Sequence, residues 1–100
     1  MRSRYAAYAL GLVEYLMQTT HPDSPHRGGE GWAEELRVFC EGTRFDGLEI
    51  LATSEADGDQ GTVTFTATLR QGERDVRFTE RSTFLRVEGQ WLYVDGEGVG

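Results

Sequence analysis

Between Met1 and Thr20 apolar side chains return every three to four positions, and from Leu48 onward they return every second position. The first period predicts a helix and the second a set of strands. On a helical wheel Tyr5, Tyr8, Ala9, Leu12, Tyr15 and Leu16 share one face, the expected core stripe of a single N-terminal helix. Leu10, Val13 and Met17 fall outside that stripe, so a second element should cover the helix. Residues 31–40 supply it: Trp32, Leu36 and Phe39 recur at helical spacing, and Gly42 provides the stop. Residues 20–29 hold both prolines and both histidines and read as a surface loop.

Three turn signals, Asp57-Gly58, Gln71-Gly72 and Glu88-Gly89, divide the rest into four antiparallel strands. If each pair is a two-residue loop, residues facing each other are fixed and must share a face. The first hairpin then sets Leu48 opposite Ala67, Ile50 opposite Phe65 and Ala52 opposite Val63. In the second, Ala67 faces Val76, Phe65 faces Phe78, Val63 faces Glu80 and Arg70 faces Glu73. The third pairs Phe84 with Tyr93, Arg86 with Trp91 and Ser82 with Asp95. All three turns agree on one inner surface. The outer surface carries a threonine row, Thr62, Thr64, Thr66 and Thr68, beside Arg77, Thr79 and Arg81, and an apolar corner of Leu85, Leu92 and Val94. The expected fold is α+β: the N-terminal helix and a short second helix packed on a curved four-stranded antiparallel meander.

A chain of 100 residues is one domain, 1–100, with room for one core. Its apolar content of 38% argues against disorder, and no apolar run approaches the roughly 18 residues of a membrane span. The net charge of −7, with arginines scattered along the chain, argues against nucleic-acid binding. Cys40 is the single cysteine, which rules out an internal disulfide and a cysteine-rich zinc site, and it is expected to be a buried small hydrophobe. The cytoplasm is the expected location.

Several segments stand in a telling order: Met1-Arg-Ser-Arg-Tyr5-Ala-Ala-Tyr8, a helix ending Tyr15-Leu16 and running into His21-Pro22, an isolated Trp32, then Glu80-Arg-Ser82-Thr-Phe84 and Gly89-Gln-Trp91-Leu-Tyr93-Val-Asp95-Gly96. In that order and spacing the chain resembles the middle domain of the YchJ family over essentially its whole length. The resemblance implies a nuclear transport factor 2-like fold, a cone in which a curved sheet wraps a long helix and often leaves a pocket at the open end. It implies no assigned biochemical activity. The zinc-binding SEC-C motifs that commonly flank this domain in the family are not within these residues, so a zinc role does not carry over. Related folds often pair through the outer sheet face. Leu85, Leu92 and Val94 are therefore the expected surface for a homodimer or for docking of flanking segments.

The candidate chemistry lies at one end of the inner face, where Glu80, Ser82 and Asp95 interrupt an apolar surface beside Trp91 and Tyr93. A carboxylate taken out of water must be paired, hydrogen-bonded or neutralised. In the preferred reading the domain is a noncatalytic binding or assembly module, with Glu80 tied to Arg2 or Arg4 in a structural network that includes Tyr5, Tyr15, Trp32 and Ser82. In the rival reading it is an isomerase, dehydratase or cyclase. Glu80 or Asp95 is then the general base, and Tyr93, Tyr15 or His21 donates to a developing oxyanion. An open cavity lined by unpaired carboxylates would favour the enzyme, and a filled cone with Glu80 tied to arginine would favour the module. His21 also suits a helix C-terminal cap. His21, Asp23 and His26 lack metal-ligand spacing, and Gly28-Gly29-Glu30-Gly31 lacks the strand and lysine of a phosphate loop. No metal and no cofactor is expected.

Overall fold

The computed structural model describes residues 2–56 and 58–99. Three helices, α1 (Arg2–Leu10), α2 (Val13–Gln18) and α3 (Trp32–Glu41), precede five strands: β1 (Arg44–Ala56), β2 (Gln60–Gln71), β3 (Arg74–Asp75), β4 (Phe78–Val87) and β5 (Gln90–Gly98). The sheet is antiparallel in the order β1-β2-β4-β5, with the two-residue β3 paired to β2. The architecture is α+β, with one short strand more than the pattern predicts.

The expected N-terminal helix is two helices. Gly11, at φ 71°, ends α1: its amide donates to the Tyr8 carbonyl at 3.2 Å and the Leu12 amide to the Ala7 carbonyl at 2.8 Å. That pair of bonds is a Schellman stop, which a glycine takes without a steric penalty. The break re-aims the core stripe. Ala7 and Leu16 are buried, whereas Ala9 and Leu12 are exposed and Tyr15 lies at the border of exposure. The second predicted helix forms where expected, with Gly31 and Gly42 as its flanking residues.

Apart from Ala52 and Asp95, which bulges move off the inner face, the expected faces are kept, but several facing pairs change. Leu48 faces Ala67 and Ile50 faces Phe65 as predicted. Ala56 pairs with Gln60, so the first reversal is one residue longer than a two-residue loop; its Asp57 lies outside the described residues. A bulge at Leu51 absorbs the extra residue. Ala52 consequently faces Thr64, and Thr53 takes the place opposite Val63. In the second hairpin the loop is Gly72-Glu73, because glycine with φ 62° belongs at the first central position of this kind of turn. The register moves by two: Phe65 faces Glu80, Ala67 faces Phe78, Val63 faces Ser82 and Arg70 faces Asp75. A shift of two leaves every side chain on its own face, so Phe65 and Phe78 still meet edge to face, with centroids 5.9 Å apart.

The third hairpin turns at Glu88-Gly89, both at positive φ, and pairs Phe84 with Tyr93 and Arg86 with Trp91 as predicted. A bulge then intervenes at Val94. Thr83 faces Asp95 and Ser82 faces Gly96. This one-residue slip turns Asp95 away from the inner face.

Two core clusters result. Ala7, Leu16 and Cys40 join the helices, and Phe65, Ala67 and Leu69 form the sheet side, flanked by Tyr5, Phe45, Leu48 and Ile50. Burial pushes the Cys40 thiol above its ordinary range, as expected of a packed hydrophobe. The loop after α2 closes the β5 edge: Tyr93 donates its amide to the Thr19 carbonyl at 2.7 Å, and His21 donates to the Tyr93 carbonyl at 2.8 Å. On the outer face Leu92 is buried and Leu85 and Val94 are half-buried. No described helix is long and apolar enough to cross a membrane.

Candidate functional site: an aromatic cavity beneath the first helix

A cavity of 310 Å³ lies between the helices and the inner sheet face. Its walls are aromatic. Tyr5 and Tyr8 come from α1, Phe39 from α3, and Phe45, Phe65 and Phe78 from the sheet. Five polar side chains share the same space: Arg4, Thr20, Glu80, Tyr93 and His26.

Arg4 stands one turn before Ala7 on the buried side of α1 and is itself 6% exposed. Its Nη1 donates to the Thr19 hydroxyl at 2.7 Å, to the Leu16 carbonyl at 3.2 Å and to the Thr20 hydroxyl at 3.4 Å. These acceptors belong to the last turn of α2, where carbonyl dipoles favour a cation. The guanidinium carbon also lies 4.7 Å from the centroid of Tyr93 and 6.0 Å from that of Tyr8. Among the described residues no carboxylate lies within salt-bridge distance of Arg4. The expected tie to Glu80 is not made, because the α2 terminus has taken the guanidinium instead.

Glu80 is half-buried and accepts a 2.6 Å hydrogen bond from the hydroxyl of Ser82, a residue with no exposed surface. Its carboxylate lies over Gly96, where an added methyl would overlap it. Gly96→Ala should therefore push the carboxylate off the Ser82 hydroxyl and leave that buried donor unsatisfied, a loss of roughly 1–3 kcal/mol. Urea unfolding of the alanine variant checks this, and an unchanged midpoint would show that the two groups are not coupled.

The three tyrosines of the cavity are held neutral. Burial pushes Tyr93 far above its ordinary range, Glu80, Tyr8 and Asp95 add to the rise, and Arg4 opposes it. Burial also raises Tyr8, against the pull of Arg4. Tyr5 is raised by burial, the Gly47 backbone pulling the other way without cancelling it; its enclosed hydroxyl finds no partner at hydrogen-bond geometry among the described residues. A folded-state pKa above the unfolded one means that the folded form keeps its proton longer, so stability is lost as pH rises above about 10. Tyrosinate absorbance should accordingly appear together with alkaline unfolding measured by circular dichroism, not ahead of it.

Other predicted residues lie elsewhere. Asp95 is exposed, with Oδ1 2.7 Å from His26 Nε2; the Gly96 amide and then His26 hold its carboxyl below the usual range. His21 does not line the cavity; its Nδ1 accepts the Asp23 amide at 3.0 Å. Tyr15 donates to the Ser3 hydroxyl at 2.8 Å and, with Trp91, borders a second and more polar hollow of 450 Å³ on the far side of Arg4. That hollow is larger, but Arg4 is shared and Glu80, His26 and Tyr93 converge on the aromatic cavity, which makes it the stronger candidate. Trp32 forms part of its wall, with Arg27 stacked 5.2 Å from the indole. His26 is the lining residue that sequence reasoning passed over. It was visible as a second loop histidine, but nothing local links it to Asp95, 69 positions away. Among the described residues no cluster of histidine, cysteine or acidic side chains is arranged to hold a metal ion.

The curved antiparallel sheet, the helices on its inner face and the aromatic cavity between them define a nuclear transport factor 2-like domain. Residues 1–96 match the family model described as YchJ, middle NTF2-like domain, and the chain belongs to that family. It is 40% identical over 97 residues to a UPF0225 protein of Bordetella pertussis, covering 97% of this chain and 68% of that protein. A UPF0225 protein of Streptomyces coelicolor is 41% identical over 100 residues, covering 97% of this chain and 70% of that one. The solution structure of a SEC-C motif containing protein from Rhodopseudomonas palustris superposes with a TM-score of 0.82 at 37% identity, covering all of this chain and 76% of that one. An NTF-2 like protein of unknown function from Shewanella oneidensis shares the fold, with a TM-score of 0.66 at 14% identity over 95% of this chain and 88% of that one.

Proposed function

We propose that this domain is a noncatalytic binding module that holds a small, largely apolar molecule in the aromatic cavity. The observation that carries this reading is a buried guanidinium in that cavity with no carboxylate partner among the described residues. A cation removed from water is costly unless paired, and an aromatic wall around it offers a ligand both contact area and a charge to meet. The volume of 310 Å³ suits a molecule of one or two rings. Native mass spectrometry of the purified chain against a set of small aromatic compounds tests the proposal. The parent should retain bound compound, and Ala67→Leu, which adds bulk to the buried floor of the cavity, should lose it while staying folded. A parent that retains none of the set would refute the module.

A second reading has one observation in its favour: Glu80 lines the same cavity, with no cation at salt-bridge distance among the described residues and with Tyr93 in reach of its charge. In that reading Glu80 is a general base and Tyr93, held neutral, donates to the oxyanion that forms. Turnover of a retained compound that is abolished in Glu80→Gln, with binding intact, would favour the enzyme over the module.

A further inference from the structure

Arg4 and Glu80 carry opposite charges in one aromatic cavity, yet they do not meet. Each is held to its own side by a separate anchor: Arg4 by the Leu16 carbonyl and the Thr19 and Thr20 hydroxyls, Glu80 by the Ser82 hydroxyl. Both anchors are buried, since Ser82 has no exposed surface and Thr19 and Thr20 are 3% and 4% exposed. Gly96 keeps the gap open on the Glu80 side, because any side chain there would occupy the place of the carboxylate. Two unlike charges fixed apart across a low-dielectric space attract a molecule that bridges them.

From this geometry we infer that the ligand is a ring-bearing carboxylic acid with a hydrogen-bond donor, a hydroxyl or an amine, elsewhere on the ring. The inference rests on the binding-module reading above and narrows it to a chemical class. The carboxylate faces Arg4, whose planar guanidinium suits a carboxylate and which is stacked on Tyr93. The donor faces Glu80, which among the described residues has one hydrogen bond, from Ser82 to Oε2, and so retains acceptor capacity. The ring lies among Tyr8, Phe65 and Phe78. An acid without the donor brings its charge into the cavity with Glu80 and gains nothing from it. A neutral ring that carries only the donor leaves the Arg4 charge unmet.

The test is an amide chemical-shift titration of the hundred-residue chain with three probes of similar size: 3-hydroxybenzoate, benzoate and phenol. The parent should bind 3-hydroxybenzoate at least tenfold more tightly than either other probe. In Glu80→Gln, which keeps the shape and removes the charge, benzoate should bind several-fold more tightly than it does to the parent, and the advantage of the hydroxyl should shrink. Circular dichroism establishes that the variant is folded, and Glu80→Asp serves as a second variant if it is not, with the hydroxyl advantage again expected to shrink. If phenol or benzoate binds the parent as well as 3-hydroxybenzoate, the chemical class is wrong and the binding module stands. If Glu80→Gln leaves the preference unchanged, Glu80 is not the donor's partner and the inference falls. If none of the three probes binds, the module falls with it.

Discussion

Phe65→Ala should cost the domain about 3–5 kcal/mol, the range for removing a fully enclosed phenylalanine from a core. Phe65 is 1% exposed and is the largest of the completely buried side chains. It joins the two halves of the inner face, meeting Phe78 edge to face and standing opposite Ile50 and Glu80 on its neighbouring strands. Truncation removes apolar area from the sheet core and enlarges a cavity that already exists, so the surroundings have little reason to collapse into the space. A domain of this size has about 5–15 kcal/mol of stability in all, and the loss should therefore bring the urea midpoint down sharply with the slope of the transition unchanged. A loss below about 1 kcal/mol would mean that Phe65 is not packed as described.

Arg4→Glu should be nearly as damaging, at about 3–5 kcal/mol, because it places an uncompensated carboxylate in a buried site. The groups around Arg4 are acceptors or aromatic faces: the Leu16 carbonyl, the Thr19 and Thr20 hydroxyls and the ring of Tyr93. Arg4→Met should be far milder, about 1 kcal/mol. When the guanidinium is removed, the Leu16 carbonyl keeps the Thr20 hydroxyl at 2.7 Å, and the Thr19 hydroxyl keeps the Tyr15 carbonyl at 2.7 Å. No buried partner is left orphaned, which is the condition under which an apolar replacement of a buried charge is tolerated. Parallel urea unfolding of the two variants decides the matter. If methionine costs as much as glutamate, Arg4 is a structural keystone and the argument from its unmatched charge to a bound ligand fails.

Much of the sheet was legible because strand alternation is a local property. Apolar residues at every second position assign Phe65, Ala67, Phe84 and Tyr93 to one face whatever their partners. An error of two in the second register was therefore harmless to the faces, and the contact between Phe65 and Phe78 survived it. The family was legible from the order and spacing of short segments along the chain, residues 1–8, His21-Pro22, Trp32 and residues 80–84 and 89–96.

The polar part of the site was legible only in half. Glu80, Ser82 and Tyr93 keep the face that alternation assigned them, while Asp95 does not, because one extra residue at Val94 reverses everything beyond it. Arg4 was named as a partner for Glu80, but its actual partners depend on Gly11 breaking the helix and bringing the end of α2 back against it. His26 reaches the cavity because Ser24, through its hydroxyl bond to the Val94 carbonyl, ties the loop to β5.

The sequence by itself determined the class of the fold, the inner and outer faces of the sheet and the presence of carboxyl and hydroxyl groups on a surface that should be apolar. Tertiary structure decided which charges meet. It gave Arg4 to the α2 terminus and Glu80 to Ser82, and it set Asp95 outside with His26. The physical reason is range. Alternation and helical period are fixed by backbone geometry over a few residues, whereas bulges, helix breaks and ion pairs are settled by whichever distant groups the folded chain brings within 3 or 4 Å, about the reach of a hydrogen bond or salt bridge.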